Sequence, residues 1–143
     1  MKIALISCVS KKQNLAIGEL VYAKDLYISP LFRMAFAYAK KLNVDKIYIL
    51  SAKHGVLELE DKIGLYNETL LKKTTKECKQ WSINVLEDLK GKGLNLSSDT
   101  FYLLAGKKYY QYLLGEGKIH NYVLPYDGLK GIGYILKFLK NKQ

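Results

Sequence analysis

Cysteine, histidine, proline and arginine are all scarce in this sequence of 143 residues. Its two cysteines, Cys8 and Cys78, lie far apart, so no disulfide framework is predicted. No Cys-x-x-Cys pair, His-x-x-x-His pair or Asp/Asn-rich loop is present, which argues against a dedicated zinc or calcium site. We therefore expect neither a metal nor another cofactor.

Long apolar runs are also missing from the sequence. None approaches the ~18–20 residues that a membrane span requires. The apolar run at the N-terminus is too short for a signal peptide, and Lys11 and Lys12 follow it at once. The length suits one domain, so we expect a single cytoplasmic domain, residues 1–143, without a membrane anchor.

The glycine motifs of common nucleotide-binding folds are absent. A Walker A loop at Gly106 would need a glycine five residues earlier, and Lys108 stands where Ser or Thr would hold magnesium. The glycines of Gly128–Gly133 do not fit G-x-G-x-x-G. Nucleotide hydrolysis by a P-loop and dinucleotide binding are therefore disfavoured.

The sequence is strongly basic, with 23 Lys and Arg against 13 Asp and Glu and a formal charge of +10. This balance favours a polyanionic partner such as a nucleic acid or nucleotide. Arg33 is the only arginine, however, whereas base and phosphate readers are usually arginine-rich. A lysine-rich proteome is the alternative explanation of the charge.

Strand-like and helix-like segments alternate along the chain. Continuous apolar runs predict four strands, and helical spacing and caps predict four helices. This alternation predicts a three-layer α/β/α fold with a mostly parallel central sheet of about four strands. The predicted strands are Lys2–Ser7, Lys46–Leu50, Thr100–Leu104 and Asn121–Leu124, and the predicted helices are Ser29–Leu42, Thr74–Leu89, Lys107–Leu114 and Leu129–Lys140.

Three of the predicted strands are followed by short polar runs, Ser7–Lys12, Ser51–Gly55 and Ala105–Lys108. Because ligands of open α/β sheets bind at the carboxyl ends of the strands, the three runs predict one basic, hydroxyl-rich site. The alternative is that these lysines are ordinary solvated loop residues. The candidate substrate-binding residues in these runs are Ser7, Ser10, Lys11, Lys12, Ser51, Lys53, Gly55, Gly106 and Lys108.

Three residues are candidates for catalysis. His54 can donate a proton or hydrogen bond to a leaving group, although a structural histidine bonded to a backbone carbonyl fits as well. Cys8 is a candidate nucleophile beside Lys11 and Lys12, and a small buried cysteine is the plainer alternative. Glu68 can polarise water if the long stretch Leu57–Leu70 closes over the strand ends, or it is a solvated loop carboxylate.

Tyrosines near the predicted site are candidates for stacking on bases. Tyr27 precedes Ser29, which caps the first predicted helix, and we include both in the binding set. Tyr109 lies in the run Lys107–Tyr112, where lysines and aromatics alternate, but helical spacing also allows it to be a core residue.

Across these segments the chain resembles a family of small bacterial, archaeal and phage domains, the domain of unknown function 6884. The matching pieces are Ala4–Lys12, Leu26–Phe32, Leu50–Leu57, Leu103–Tyr109 and Gly128–Leu139. More distantly, the Leu50–Leu57 block looks like the peroxide-stress YaaA proteins and the uracil-DNA-glycosylase-like domains, which implies a glycosylase-like fold by analogy.

The chain departs from that family at one place. The family's usual pattern looks like I-x-P-Y-D-x-T-L, and Ile63–Leu70 here lacks both the proline and the aspartate. If that aspartate is catalytic in relatives, either Glu68 replaces it here or the activity has been lost.

These observations support two main hypotheses and one lesser one. The first is an enzyme that processes nucleic acid or nucleotides, an N-glycosidase-like hydrolase that cleaves a base from its sugar. The second is a module that binds nucleic acid or nucleotide without catalysis. The third is a transferase that uses Cys8.

Overall fold

The computed structural model describes residues 1–7 and 12–143 of the chain. Five of the strands in this part form one sheet in the order β4-β3-β1-β6-β7, in which β4 is antiparallel to β3 and the others run parallel. A separate antiparallel pair is formed by β2 and β5. The strands are β1 (Lys2–Ser7), β2 (Val21–Tyr22), β3 (Lys46–Ser51), β4 (Gly55–Glu58), β5 (Lys62–Ile63), β6 (Thr100–Leu104) and β7 (Asn121–Val123).

The helices begin at residues whose side chains cap them. Ser29 Oγ accepts a hydrogen bond from the Phe32 N–H at 3.1 Å, and Pro30 occupies the first helical position of α2. Thr74 and Glu77 form a reciprocal capping box at the start of α3. The helices are α1 (Ala23–Leu26), α2 (Pro30–Lys41), α3 (Thr75–Gly91), α4 (Lys107–Tyr110) and α5 (Ile132–Asn141), with a 3-10 helix at Leu70–Lys72.

The helices cover both faces of the sheet. On one face α2 packs against β1 and α5, and elsewhere α3 contacts β4 and α4. The chain moves from β1 outward to β3, and then back past β1 to β6. Since such crossovers have the same hand, these opposite movements put α2 and α3 on opposite faces. The central strand β1 is consequently buried on both sides, from Ile3 to Ile6.

The predicted α/β class with a mostly parallel sheet is confirmed, and the four predicted strands are present. The sheet has five strands rather than about four, because Gly55–Glu58 is an antiparallel edge strand and not part of a long loop. Two helix boundaries also differ from the prediction by three residues or more. The last helix begins at Ile132 rather than Leu129 because Gly131 has a φ of 108°. The short helix ends at Tyr110 rather than Leu114, where the chain goes over into turns.

Within the described residues, no helix combines the length and the apolar character needed to cross a membrane.

Candidate functional site at the carboxyl ends of the strands

The carboxyl ends of β3, β1 and β6 lie side by side. Ser7 at the end of β1 pairs with Leu50 of β3, and Ile6 pairs with Leu104 of β6. The three polar runs predicted from the sequence therefore meet at one edge of the sheet. This edge includes the point between β1 and β6 where the chain reverses its direction of travel, which is where ligands bind in open α/β sheets. Three predicted site residues of the first run, Cys8, Ser10 and Lys11, lie outside the described residues.

The second run is a tight hairpin turn rather than the strand-to-helix loop that we expected. Ser51 pairs with Gly55 across the turn, and Ser51 Oγ accepts a hydrogen bond from the His54 backbone N–H at 3.1 Å. Gly55 has a φ of 75°, in the left-handed region that glycine adopts without steric cost. The turn therefore presents Lys53 and His54, whose side chains are both exposed, at the corner of the sheet.

Three hydroxyl groups form a continuous hydrogen-bonded chain beside this turn. Ser51 Oγ donates to the Tyr66 hydroxyl at 3.0 Å, and the Tyr66 hydroxyl is in turn hydrogen-bonded to that of Tyr27. Ser51 is fully buried, and Trp81 Nε1–H donates to its carbonyl oxygen at 2.9 Å. The hydroxyl chain thus has a fixed anchor in the sheet.

A cation and an imidazole adjoin the same tyrosines. Lys12 Nζ lies 4.6 Å from the centre of the Tyr66 ring and 5.8 Å from that of Tyr27, which is cation–π geometry. The His54 ring meets the Tyr66 ring edge-on, with centroids 5.3 Å apart and planes at 88°. We call these five residues, Lys12, Tyr27, Ser51, His54 and Tyr66, the tyrosine cluster.

The surroundings of His54 favour its neutral form. Partial desolvation and then the nearby Lys53 ammonium lower the pKa of His54 from its usual value, against smaller opposing effects of Glu68 and Asp61. At pH 7 the imidazole is therefore neutral, with one N–H donor and one acceptor nitrogen. No described residue hydrogen-bonds to its ring nitrogens, and the His54 side chain is exposed at the turn.

Glu68 lies close enough to act electrostatically on His54, but it already has a cationic partner. Its carboxylate forms an ion pair with Lys73 Nζ at 3.5 Å, and its side chain is 44% exposed. The carboxylate is therefore partly solvated and in contact with a lysine. To polarise a water molecule it would have to share its charge with Lys73.

The third run is divided between two sides of α4. On one side, Lys108 Nζ donates to the Leu71 carbonyl oxygen at 3.2 Å, and the buried Tyr109 ring meets Trp81 edge-on at 5.6 Å. On the other side, Lys107 and Tyr110 line a small cavity of about 190 Å³ next to the exposed Asp127. Tyr109 is packed as a core residue, and Tyr27 is buried more deeply still, so the structure does not support a stacking role for either ring.

Two further predicted binding residues, Ser29 and Gly106, stand at the starts of helices. Ser29 caps α2 through its hydroxyl oxygen, as described above, and is half-buried. Gly106 precedes α4 with an ordinary φ of −71°, and a side chain added there would meet open space. Gly106 therefore leaves the main chain accessible at the end of β6.

Sequence reasoning did not include Tyr66 and Trp81 among the candidate site residues. Tyr66 occupies the tyrosine of the I-x-P-Y-D-x-T-L pattern, and Trp81 is the only tryptophan. Both signals were available, but neither showed that the two side chains converge on Ser51. Tyr66 reaches Ser51 from the segment after β5 and Trp81 reaches it from α3, so the convergence is a tertiary arrangement.

Among residues 1–7 and 12–143, no group of His, Cys, Asp and Glu side chains is arranged to hold a metal ion.

The fold and the site define a small doubly wound α/β domain with a polar, aromatic site at the carboxyl edge of its sheet. Residues 3–141 match the family of unknown function DUF6884, so the chain belongs to that family. It is also 33% identical over 121 residues to the uncharacterized protein YfjM of Bacillus subtilis (strain 168), an alignment that covers 83% of this chain and 78% of that protein.

Proposed function

We propose that this protein processes a nucleic acid or nucleotide at the carboxyl edge of its sheet, as an N-glycosidase-like hydrolase. The observation that carries the proposal is the tyrosine cluster. It brings a cation, the half-buried ring of Tyr66, backed by the buried Tyr27, and a neutral imidazole together at the end of β3. Such a group matches the three parts of a nucleotide, since it offers charge to phosphate, aromatic surface to a base and a hydrogen-bond donor to a leaving group.

Hydrolysis of a base–sugar bond makes definite demands on the site. The C1′–N bond breaks, a water oxygen bonds to C1′, and one proton must reach the departing base. His54 supplies the hydrogen-bond donor to the base, because its neutral ring carries one N–H and its side chain is exposed at the turn. One proton of the water stays on the new C1′ hydroxyl, and the other passes to a carboxylate, for which Glu68 is the predicted group, and from there through solvent to the released base.

We assign the binding of the phosphate group to the lysines around the tyrosine cluster. Lys12 is already held over the Tyr66 ring, and Lys53 stands beside His54 in the turn. Ser10 and Lys11, which we also predict to contact the phosphate, lie in the same run of chain as Lys12. Fixed cations of this kind position a substrate without taking part in bond cleavage.

The test is to incubate the protein with nucleosides, nucleotides, DNA and tRNA, including modified bases, and to detect released base by mass spectrometry. We expect base release that falls at least tenfold in His54→Ala. His120→Ala is the matched control, because His120 is exposed at the start of β7, at the opposite edge of the sheet, and should leave the rate unchanged. Equal loss in both variants, or none in His54→Ala, would remove the assigned role.

Non-catalytic binding is the second candidate function, and the Glu68–Lys73 ion pair favours it. The Glu68 carboxylate lies 3.5 Å from Lys73 Nζ, so Lys73 competes with a water molecule for it. This alternative predicts salt-sensitive binding without any chemical change in the ligand. It would replace the first proposal if binding depended on Lys12 and Tyr66 while no substrate released a base.

A further inference from the structure

An open groove of about 960 Å³, separate from the tyrosine cluster, lies beside it. Its floor contains the buried rings of Tyr27 and Phe32, and its walls come from α1, α2 and the β2–β5 pair. Tyr27 belongs to both features, because its hydroxyl joins the cluster while its side chain also lines the groove. The groove and the candidate site are therefore separated by a single side chain.

The walls of this groove are basic. Lys24, Arg33 and Lys62 line it against one carboxylate, Asp25. Arg33 is the only arginine of the chain and its side chain is exposed. Lys24 also lies 3.9 Å from Glu60, a long and exposed contact that leaves the ammonium group available to other anions.

An exposed aromatic ring lies within about 6 Å of two of these cations. Tyr22 is 42% exposed, and Lys24 Nζ and Lys62 Nζ lie 5.7 and 6.0 Å from the centre of its ring. Phe36 lines the same groove and is half-buried. Accessible rings flanked by cations are the arrangement that single-stranded nucleic acids use, with bases stacking on the rings and phosphates meeting the cations.

We propose that this groove binds a single-stranded polynucleotide, so that the substrate of the site is a strand rather than a free nucleotide. The inference rests on the proposed function, because it assigns the substrate class of the same site. The groove volume is near the upper end of the ~300–1,000 Å³ typical of small-ligand pockets. A mononucleotide would leave most of this basic, aromatic surface without a partner.

Binding to an oligothymidylate of about twelve nucleotides tests this assignment, since single-strand-binding domains cover ~4–16 nucleotides. By fluorescence anisotropy at low salt, we expect affinity at least a hundredfold higher than for thymidine 5′-monophosphate. A duplex of the same length should bind more weakly than the single strand. Binding of the oligonucleotide no tighter than the mononucleotide, or equal binding of the duplex, would overturn the assignment.

Two variants connect this binding to the groove. Tyr22→Ala should weaken oligonucleotide binding by roughly fivefold or more through loss of stacking. Arg33→Gln should reduce the slope of log affinity against log salt by about 0.7, the value for one phosphate contact on a single strand. Tyr134→Ala and Lys137→Gln are the matched controls, since both residues are exposed on α5 and do not line the groove.

The outcomes separate the groove from the proposed chemistry. Base release that depends on His54, together with unchanged binding by Tyr22→Ala and Arg33→Gln, would overturn the groove assignment and keep the hydrolase. Length-dependent binding that is weakened by both groove variants, without any base release, would support the groove and count against the hydrolase.

Discussion

Trp81 Nε1–H donates a hydrogen bond to the Ser51 carbonyl oxygen at 2.9 Å, which joins α3 to the carboxyl end of β3. The same indole packs edge-on against Tyr109 of α4. A single buried side chain thus connects the ends of two parallel strands through helices on one face. The geometry of the candidate site depends on this contact, because Ser51 also anchors the hydroxyl chain of Tyr66 and Tyr27.

Replacing Trp81 with Phe should lower the free energy of unfolding by about 1–3 kcal/mol, because the buried Ser51 carbonyl oxygen loses its donor. Urea unfolding followed by far-UV circular dichroism is the measurement, since the variant has no tryptophan fluorescence. Tyr134→Phe, on an exposed residue, is the control and should unfold like the wild type. A Trp81→Phe protein of unchanged stability would show that the hydrogen bond contributes nothing.

A substitution at Tyr126 should change the free energy of unfolding in the opposite direction. Among the described residues, its hydroxyl oxygen is a buried polar atom without a hydrogen-bond partner, and burial raises the pKa of this tyrosine. Removing an unsatisfied group relieves a desolvation cost, so Tyr126→Phe should raise the free energy of unfolding by about 1 kcal/mol. Tyr27→Phe is the contrast, because its hydroxyl is bonded to Tyr66, and it should destabilise by a similar amount. Equal effects in the two variants would contradict this account.

The fold could be predicted from the sequence because its strongest signals are local. Continuous apolar runs identified β1, β3, β6 and β7, and Ser29-Pro30 marked the start of α2. The edge strand β4 has only four residues and follows a three-residue turn, too short for a periodic pattern of its own. Its identity as a strand is decided by pairing with β3, which is a tertiary interaction.

The candidate site could be predicted only in outline. That Ser7, Ser51 and Ala105 lie at one edge of a parallel sheet follows from the fold class, whereas the adjacency of β3, β1 and β6 is seen only in the structure. Side-chain direction did not follow, because the four-residue helix α4 turns Lys108 and Tyr109 towards Leu71 and Trp81 rather than towards the edge. The catalytic roles of His54, Glu68 and Cys8 stay predictions.

The titration of His54 can be followed by NMR in the His120→Asn background, which leaves one histidine. We expect a midpoint below the usual value of 6.5, because desolvation and Lys53 lower its pKa. Lys53→Ala should raise the midpoint and Glu68→Gln should lower it further. A midpoint that responds to neither change would refute this account of the electrostatics.

The direction of this shift has consequences for pH dependence. The folded state binds a proton at His54 less readily than the unfolded chain, so the contribution of His54 to stability is present above pH 6.5 and is lost as pH falls through the lowered pKa. If the neutral imidazole assists base release, kcat/KM should be level above pH 6.5 and fall in acid. His54→Ala should lack this acid limb. A rate that instead rises as the pH is lowered below 6.5 would mean that the imidazolium is the active form.

Two glycines at the site should respond differently to the same substitution. Gly55→Ala places a side chain at a φ of 75° with its Cβ 3.0 Å from Asp88 Oδ2, so we expect a loss of about 1–2 kcal/mol in unfolding free energy. Gly106→Ala has an ordinary φ and open space, so its stability should stay within about 0.5 kcal/mol of the wild type.

Ligand binding then shows whether Gly106 is there for close approach to a substrate. Gly106 is exposed and immediately precedes Lys107, the first residue of α4, at the end of β6. If the phosphate of a substrate rests on this main chain, Gly106→Ala should weaken binding of the oligonucleotide severalfold at unchanged stability. Gly93→Ala is the control for an effect on stability alone, because Gly93 has a positive φ and is not among the candidate site residues. It should lower the unfolding free energy without changing the affinity of the folded protein. Wild-type affinity in Gly106→Ala would place the substrate away from β6, over the tyrosine cluster and the groove alone.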